Sequence, residues 1–207
     1  LDSSLMAAVN NYMDSARNSY ASTYFFESHL MDNYTFEEVQ GFYNKLTDRV
    51  KQSVPGIELK KKIDEMGMVS VGGVAPNFKA TTPSGRELSL YDLRGRVVLL
   101  DFWASWCAPC VAEVPHLQKL EKDLNRRDIV FVSISLDTKR ENWEKQMEQL
   151  HMHGNQWLVR DEAFADMMNV KGIPHFLLYG KDGTLLDYKT ARPSSGDLLK
   201  SRLEHLP

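Results

Sequence analysis

The sequence predicts an α/β domain, a central mixed β-sheet flanked by helices, with an α-helical N-terminal extension in front of it. Two observations support this. From about residue 74 onward, strand-like and helix-like segments alternate, whereas the earlier residues show only helical periodicity. Glycines at 67, 72 and 73 separate the two regions. We therefore expect a helical segment over residues 1–70 and the α/β domain over residues 71–207, which 207 residues can accommodate.

Three helices are predicted in the first region. The first has apolar residues at i, i+4, i+7 and i+8, namely Leu5, Val9, Tyr12 and Met13. Thr35, with a glutamate three residues later, predicts a capping box that opens the second helix. Pro55-Gly56 is expected to break that helix, and Ile57–Met66 to form the third. Gly67 and Gly72-Gly73 are then expected to form a linker.

The second region predicts a hairpin followed by alternating strands and helices. The turn residues Pro83-Ser84-Gly85 and Lys181-Asp182-Gly183 indicate two hairpins. In chain order, the predicted elements are the hairpin Phe78–Leu90, strand Val97–Trp103, helix Ala108–Leu124, strand Ile129–Leu136, helix Arg140–Leu150, strand Trp157–Val159, helix Ala163–Met168, strands Phe176–Tyr179 and Thr184–Tyr188, and helix Leu198–Leu206. This order predicts a mixed sheet with helices on both faces.

Charge and hydropathy argue against a nucleic-acid-binding protein and against a membrane-spanning segment within these residues. A formal net charge of −3 argues against a nucleic-acid-binding protein, which usually has a basic excess. No apolar run reaches the ~18–20 residues needed to span a bilayer. The sequence begins at Leu1 without an export signal, so we expect either that a signal has been removed or that the chain is part of a longer protein.

The chain has two cysteines, Cys107 and Cys110, only three positions apart. A disulfide between them closes a very short loop, which constrains the unfolded chain little, so stabilisation is a poor reason for the pair. A structural zinc site would need two further ligands, and no second cysteine pair is present. Redox chemistry is therefore the favoured role, with no metal and no cofactor.

Cys107 is predicted to lie where a strand gives way to a helix. At a helix N-terminus, unpaired N–H groups and the helix dipole stabilise a thiolate, which lowers the pKa of a cysteine from ~8.5 into the range of about 3.5–7.5. The thiolate is the species that attacks a disulfide. Pro109 suits the first helical turn, and Ala108 completes the active-site loop. We expect Cys107 to attack the substrate and Cys110 to resolve the mixed disulfide.

Asp101 interrupts the apolar strand that precedes the cysteines. A carboxyl group surrounded by Leu99, Leu100, Phe102 and Trp103 is expected to lose hydration, which raises its pKa toward neutrality. Such a group can accept a proton near pH 7. Asp101 is therefore predicted to act as a general base for Cys110; a water-facing structural Asp is the less favoured alternative.

The stretch from Asp101 to Cys110, DFWASWCAPC, closely resembles the active-site stretch of thioredoxins. Pro115 falls where thioredoxins kink the following helix, and Gly172-Ile173-Pro174 resembles their cis-proline loop. The resemblance implies a thioredoxin-like fold and a thiol-disulfide oxidoreductase. It also implies that Trp106, Ile173 and Pro174 contact the bound peptide.

Further residues resemble one branch of that family. Ala75-Pro76-Asn77-Phe78 and Leu88-Ser89-Leu90 are similar to the N-terminal hairpin of the TlpA and ResA-like proteins, relatives of the AhpC/TSA group. Glu113-Val114-Pro115, and an insertion that carries Trp143 and Trp157, are similar too. The helical first third resembles the segment in front of this domain in Bacteroidetes-type members. This implies an extracytoplasmic protein, periplasmic or membrane-anchored, with protein disulfides as substrates and a membrane or soluble thiol-disulfide reductase as electron donor.

Some alternatives stay open at this stage. A thiol peroxidase would want Thr or Ser three residues before its reactive cysteine, where this chain has Ala104. A copper- or zinc-binding module would combine the cysteines with histidines, the candidates being His116, His151, His153 and His175. His175, where Thr is more usual, either tunes the site or packs on the sheet. Reduction of apocytochrome c would be a narrower form of the same exchange chemistry.

Overall fold

The structure, a computed structural model, describes residues 3–124, 126–161 and 163–206; the side chains of Ser3 and Asp32 are left undescribed. Leu1 and Pro207, the outer limits of the two predicted regions, lie outside these residues. The chain divides after Met68 into two compact units. Within the described residues, no helix is both long enough and apolar enough to cross a membrane.

The first unit is built from short helices around a core of its own. Its α-helices are α1 (Ser3–Ser15), α2 (Tyr20–Phe25), α3 (Phe36–Lys45), α4 (Asp48–Lys51) and α5 (Val54–Met68). A π-helical turn, Phe26–Leu30, and a 3₁₀ turn, Met31–Asn33, link α2 to α3. The buried residues of this core are Met13, Phe26, Met31, Tyr34, Val39, Phe42, Leu46, Val50, Leu59 and Ile63.

The start of α3 was predicted correctly. The Thr35 hydroxyl accepts a hydrogen bond from the Glu38 N–H at 3.3 Å, and the Glu38 carboxylate accepts one from the Thr35 N–H at 2.8 Å. This reciprocal pair is the predicted capping box, which satisfies two donors that the helix start would otherwise leave unpaired.

Two predictions for this unit were wrong. Pro55-Gly56 does not break a helix, because both residues lie in the first turn of α5, where proline is well tolerated. Only glycine fits at position 56, because a Cβ there would lie 2.0 Å from the Val50 carbonyl oxygen. Gly67 lies inside α5 and not in a linker.

The predicted inner face of α1 was only partly right. Met13 is buried and Val9 packs against the core, but Leu5 is 46% exposed and Tyr12 58% exposed. Met6 also packs against the core. The inward face is therefore centred between Met6, Val9 and Met13, which have helical spacing of three and four residues.

The second unit is a seven-stranded mixed sheet with helices on both faces, as predicted. Its strands are β1 (Lys79–Thr81), β2 (Glu87–Ser89), β3 (Val97–Trp103), β4 (Ile129–Ser135), β5 (Asn155–Leu158), β6 (His175–Tyr179) and β7 (Leu185–Asp187). Its α-helices are α6 (Ala108–Leu124), α7 (Arg140–Gln149), α8 (Phe164–Met167) and α9 (Asp197–Glu204). The strand order is β2-β1-β5-β4-β3-β6-β7.

Strand β3 lies inside the sheet, parallel to β4 and antiparallel to β6. Its residues alternate between the two faces. Val98, Leu100 and Phe102 pack in the core that includes Phe164 of α8, whereas Val97 and Leu99 pack against α6 and α9. All seven residues of β3 are buried. The strand is therefore a rigid support that ends at the two cysteines.

Candidate active site

Cys107 and Cys110 are joined by a disulfide at the start of α6, with their Cα atoms 5.2 Å apart. Cys107 immediately precedes the first helical residue, Ala108, and Cys110 lies in the first turn. Cys107 is 5% exposed and Cys110 2% exposed. The pair therefore has one sulfur at the tip of the helix and the other beneath it, which is the order the sequence predicts.

The sulfur of Cys107 receives a hydrogen bond from the helix backbone. The Cys110 N–H donates to the Cys107 Sγ at 3.2 Å, and the Val111 N–H donates to the Cys107 carbonyl at 3.0 Å. The first N–H groups of a helix have no carbonyl partner within the helix, and the dipole is positive at this end. This position therefore stabilises negative charge on the Cys107 sulfur.

A buried apolar cluster surrounds the two cysteines. Its other fully buried members are Trp103, Ala104, Trp143, Met147 and Leu158, and half-buried Met152 and Ile173 pack against it. Trp143 and Met147 come from α7, and Leu158 comes from β5. Side chains from α7 and from β5 thus pack around the two cysteines.

The predicted docking residues lie beside the disulfide. The Ile173–Pro174 peptide bond is cis, and the Ile173 carbonyl oxygen is 3.8 Å from the Cys107 Sγ. Ile173 and Pro174 are half-buried. Trp106 is 69% exposed and directly precedes Cys107 in the chain. An apolar surface with an accessible backbone edge therefore borders the reactive sulfur.

Asp101 lies on the β3 face that is covered by α6. It follows Leu99 by two positions, and Leu99 packs against Leu117 and Leu120 of that helix. Asp101 is 5% exposed, and its pKa is raised from 3.8 to about 7. Burial is the main cause and the nearby Glu113 carboxylate adds to the rise, while a hydrogen bond from the Ser133 hydroxyl at 3.1 Å opposes it. The predicted loss of hydration is present, so Asp101 can exchange a proton near neutrality.

Glu113 is a second buried acid on the inner face of α6, one turn after Cys110. Its carboxylate accepts hydrogen bonds from the Ser194 N–H at 2.9 Å and from the Ser194 hydroxyl at 2.6 Å. Cys110 and Glu113 are at i and i+3, so they share one helix face. Cys110, Glu113 and Asp101 therefore meet between α6 and the sheet.

A third buried acid, Asp137, holds the loop that precedes Cys107. Its carboxylate accepts hydrogen bonds from the Ser105 N–H at 2.9 Å and from the Ser105 hydroxyl at 2.7 Å. The Ser135 hydroxyl, at the end of β4, donates to the same carboxylate at 2.7 Å. Charge-assisted hydrogen bonds of this kind are roughly twice as strong as neutral ones. The backbone is therefore held in place at Ser105, directly before Trp106 and Cys107.

His175, the residue after the cis-proline, packs on the sheet. It is 8% exposed, and its Nε2–H donates to the Tyr188 carbonyl oxygen at 2.8 Å. Its ring lies edge-on to Phe102 and Tyr188. Burial lowers the pKa of this imidazole, so the neutral form is favoured. Of the two roles considered for His175, the structure shows the packing one.

Comparison with known proteins gives consistent matches. A family model described as Thioredoxin-like matches residues 95–185. The ResA thiol-disulfide oxidoreductase of Geobacillus thermodenitrificans is 28% identical over 142 residues, which is 69% of this chain and 81% of that protein. A solved Bacteroides vulgatus protein, assigned as a thiol-disulfide oxidoreductase, is 33% identical, with a TM-score of 0.57 over 66% of this chain and 90% of that one.

The chain belongs to the thioredoxin-like thiol-disulfide oxidoreductases. A Chlorobium tepidum structure, assigned as the thiol:disulfide interchange protein DsbE, agrees with this at 27% identity and a TM-score of 0.60, covering 65% of this chain and 96% of that one. The predicted α/β thioredoxin-like fold and the predicted class of enzyme are thus confirmed. The disulfide-bonded cysteine pair at the start of α6 supports redox exchange, the chemistry of this class.

Sequence reasoning missed three residues that the structure of this oxidoreductase places around its cysteines. Ser133, Glu113 and Asp137 contact the site through side chains that are distant in sequence from their partners. One signal was present: Ser133 and Ser135 interrupt an apolar strand, as Asp101 does in β3. Polar residues inside buried strands need partners, so each of them indicates a buried hydrogen-bond network.

The raised pKa of Asp101 makes a prediction about the stability of the oxidised oxidoreductase. The native state keeps this proton up to about pH 7, whereas the unfolded state releases it near the ordinary value of 3.8. Between these values the native state holds more protons, so this group lowers the free energy of unfolding as pH rises, by at most about 1.4 kcal/mol per pH unit. Asp101→Asn removes this pH-dependent loss, because asparagine does not titrate. The free energy of unfolding of the variant minus that of wild type should increase from pH 4 to pH 7 and then level off, as measured by urea unfolding.

Asp182→Asn is a control in which the carboxyl group has the opposite effect on the free energy of unfolding as pH rises. Hydrogen bonds from Thr184 lower the pKa of Asp182, so its carboxylate stabilises the native state once it is ionised. This variant should be less stable than wild type near neutrality, and the difference should shrink in acid as the carboxylate is protonated. A constant difference between Asp101→Asn and wild type across the whole pH range would contradict the raised pKa.

Proposed function

We propose that this chain reduces or exchanges disulfides in extracytoplasmic protein substrates, with Cys107 as the attacking thiol and Cys110 as the resolving thiol. The observation that carries the proposal is the disulfide at the N-terminus of α6, with the Cys107 sulfur 3.8 Å from the Ile173 carbonyl. The positive end of the α6 dipole, the Cys110 N–H donor and the Ile173 carbonyl all lie next to the Cys107 sulfur.

In the first step, the Cys107 thiolate of the reduced protein attacks one sulfur of the client disulfide. A bond forms between Cys107 and that sulfur, and the other client sulfur leaves as a thiolate that takes a proton from water. The Cys110 N–H and the positive end of α6 stabilise Cys107 as a thiolate before attack. Burial of the cysteine pair among apolar side chains strengthens these electrostatic contacts.

In the second step, Cys110 attacks the Cys107 sulfur of the mixed disulfide. The client leaves with both of its sulfurs reduced, and the Cys107–Cys110 disulfide is restored, so two electrons have passed to the client. Cys110 is buried and must lose its proton first. Asp101 lies beneath the same helix face and its pKa is about 7, so we assign it as the proton acceptor for Cys110.

The client is proposed to lie across Trp106, Ile173 and Pro174. An extended client segment can hydrogen-bond the free backbone edge before the cis-proline, while its apolar side chains cover the exposed Trp106 ring. Ala108 and Pro109 complete the rim, since both are exposed beside the disulfide. These contacts present the client disulfide to Cys107.

The setting of this chemistry follows from the relatives. ResA is named as a thiol-disulfide oxidoreductase, and DsbE as a thiol:disulfide interchange protein. By resemblance to that branch we propose an extracytoplasmic location, periplasmic or anchored to face the periplasm. A membrane or soluble thiol-disulfide reductase would return electrons to Cys107–Cys110, and apocytochrome c is a candidate client. No nucleic acid is involved in this proposal.

Substitution of each cysteine tests the order of attack. Cys110→Ser should accumulate a covalent mixed disulfide with a reducible client such as insulin, because attack proceeds and resolution does not. Cys107→Ser should accumulate none and should have no turnover. Non-reducing gel electrophoresis and mass spectrometry of the trapped species measure this. Trapping by Cys107→Ser, or full turnover by Cys110→Ser, would contradict the assignment.

The role of Asp101 predicts a pH profile for client release. The rate of the second step should rise with pH through about pH 7 and then level off, as the acceptor becomes ionised. Asp101→Asn should slow release by about tenfold to a hundredfold at pH 7 and remove this inflection. Stopped-flow tryptophan fluorescence of a preformed mixed disulfide measures the step.

Ser133→Ala is the matched variant, since it keeps the carboxyl group and removes the hydrogen bond that lowers the pKa of Asp101. Its inflection should move to higher pH while the limiting rate is kept. A profile for Asp101→Asn that matches wild type would remove Asp101 from the mechanism.

A further inference from the structure

We propose that a small pocket beside the disulfide binds an aliphatic side chain of the client polypeptide, and that Arg160 at its rim pairs with a client carboxylate. The inference rests on the proposed function and names the client features that this site would select. The pocket has a volume of about 80 Å³. Its apolar lining is formed by Leu136, Val159 and Ala165, and its polar rim includes Asp137, Arg160 and Asp161.

The pocket lies at the same edge of the sheet as the cysteines, because Cys107 follows β3 while the lining residues Leu136 and Val159 follow β4 and β5, and these three strands are parallel neighbours. Leu136, in its lining, donates its N–H to the Trp103 carbonyl oxygen at 2.9 Å. The next residue, Asp137, holds Ser105 through two hydrogen bonds. Ser105 is two positions before Cys107, and an extended chain advances about 3.3 Å per residue. Because β4 and β5 lie one and two strand spacings of about 4.8 Å from β3, about three extended client residues span the strand ends between Cys107 and the pocket.

The lining is preformed. Leu136 and Ala165 are half-buried and pack against the same core cluster as Ile173, the predicted docking residue. Phe164, next to Ala165 in α8, stacks on Phe102 of β3 with ring centroids 5.8 Å apart. Because packed cores resist deformation, an aliphatic side chain that enters the pocket meets fixed apolar walls and loses its hydration.

The polar rim carries two carboxylates, Asp137 and Asp161, and one cation, Arg160. The Asp137 carboxylate is already engaged by Ser105 and Ser135, and the Asp161 carboxylate accepts a hydrogen bond from the Ala163 N–H at 2.9 Å. Arg160 is exposed, and its side chain has no hydrogen bond or ion pair with any residue that the structure describes. The planar guanidinium group of such an arginine can bind a carboxylate through two parallel hydrogen bonds.

The client class that follows is a polypeptide with an aliphatic residue and an acidic residue close to its disulfide-bonded cysteine. The aliphatic side chain supplies binding energy through burial, and the acid sets orientation through Arg160. Small disulfides without a polypeptide do not reach the pocket and are not selected by it.

The test uses synthetic peptides with one cysteine that is disulfide-bonded to 5-thio-2-nitrobenzoate, whose release is followed by absorbance. In a serine and alanine background, Leu is placed at each of the three positions on either side of the cysteine, and the best position is then compared with Ala. The reduced 207-residue protein should react about tenfold faster, as a second-order rate constant under single-turnover conditions, with the best Leu peptide than with its Ala counterpart. Each rate is divided by the same variant's rate with the bare aromatic disulfide, so that general loss of reactivity cancels.

Ala165→Leu fills the pocket, so it should reduce this Leu preference to less than twofold. Ala163→Leu is the matched control: it is the same substitution two residues away, at an exposed position that does not line the pocket. It should keep the preference. A second peptide pair carries either Asp or Lys near the cysteine. Arg160→Glu should lower the rate with the Asp peptide and raise the rate with the Lys peptide. Arg202→Glu, a charge reversal at an exposed position of α9, should leave the Asp-to-Lys rate ratio and the Leu-to-Ala rate ratio unchanged.

A Leu preference that survives Ala165→Leu, or an Asp-to-Lys ratio that Arg160→Glu does not move, would overturn the inference. The absence of any Leu preference in wild type would overturn it as well. In these cases the proposed function still stands, because the peptides are still reduced. Failure of the wild-type protein to react with every peptide and with the bare disulfide would instead contradict the proposed function.

Discussion

The N-terminus of α6 determines the chemistry of this protein. The Cys110 N–H donates a hydrogen bond to the Cys107 sulfur at 3.2 Å, and β3 and Asp137 hold the chain that leads to this helix start. Strand β3, buried along its whole length, brings the chain to the helix start. Asp137 then fixes the connecting loop at Ser105, two residues before Cys107.

The buried acids show that the site is arranged for reaction at some cost in stability. Asp101 has one hydrogen-bond donor, Ser133, and a second carboxylate, Glu113, near it. Hydrophobic residues at the same position would pack more favourably, since burial of an ionisable group opposes folding. The raised pKa that results is what a proton acceptor at neutral pH requires. Asp137 differs, because its carboxylate accepts three hydrogen bonds, from the Ser105 N–H, the Ser105 hydroxyl and the Ser135 hydroxyl.

Much of the fold and the centre of the site could be predicted from sequence because the signals were local. The limits of β3, from Val97 to Trp103, were predicted correctly because apolar runs and turn residues mark them directly. The helical unit was harder: Pro55 is tolerated in a first helical turn, so its presence alone does not end a helix. Glu113 and Asp137 were missed as site residues because their partners, Ser194 and Ser105, are far away in sequence. Such pairings arise only from tertiary packing.

The most direct test of this account is the pKa of each thiol in the reduced protein. Alkylation by iodoacetamide, followed as a function of pH and assigned to each cysteine by mass spectrometry, gives both values. The account predicts that the pKa of Cys107 lies well below the ordinary ~8.5, within about 3.5–7.5, and that Cys110 titrates at higher pH. A Cys107 that reacts like a free thiol, or a Cys110 that ionises first, would contradict it.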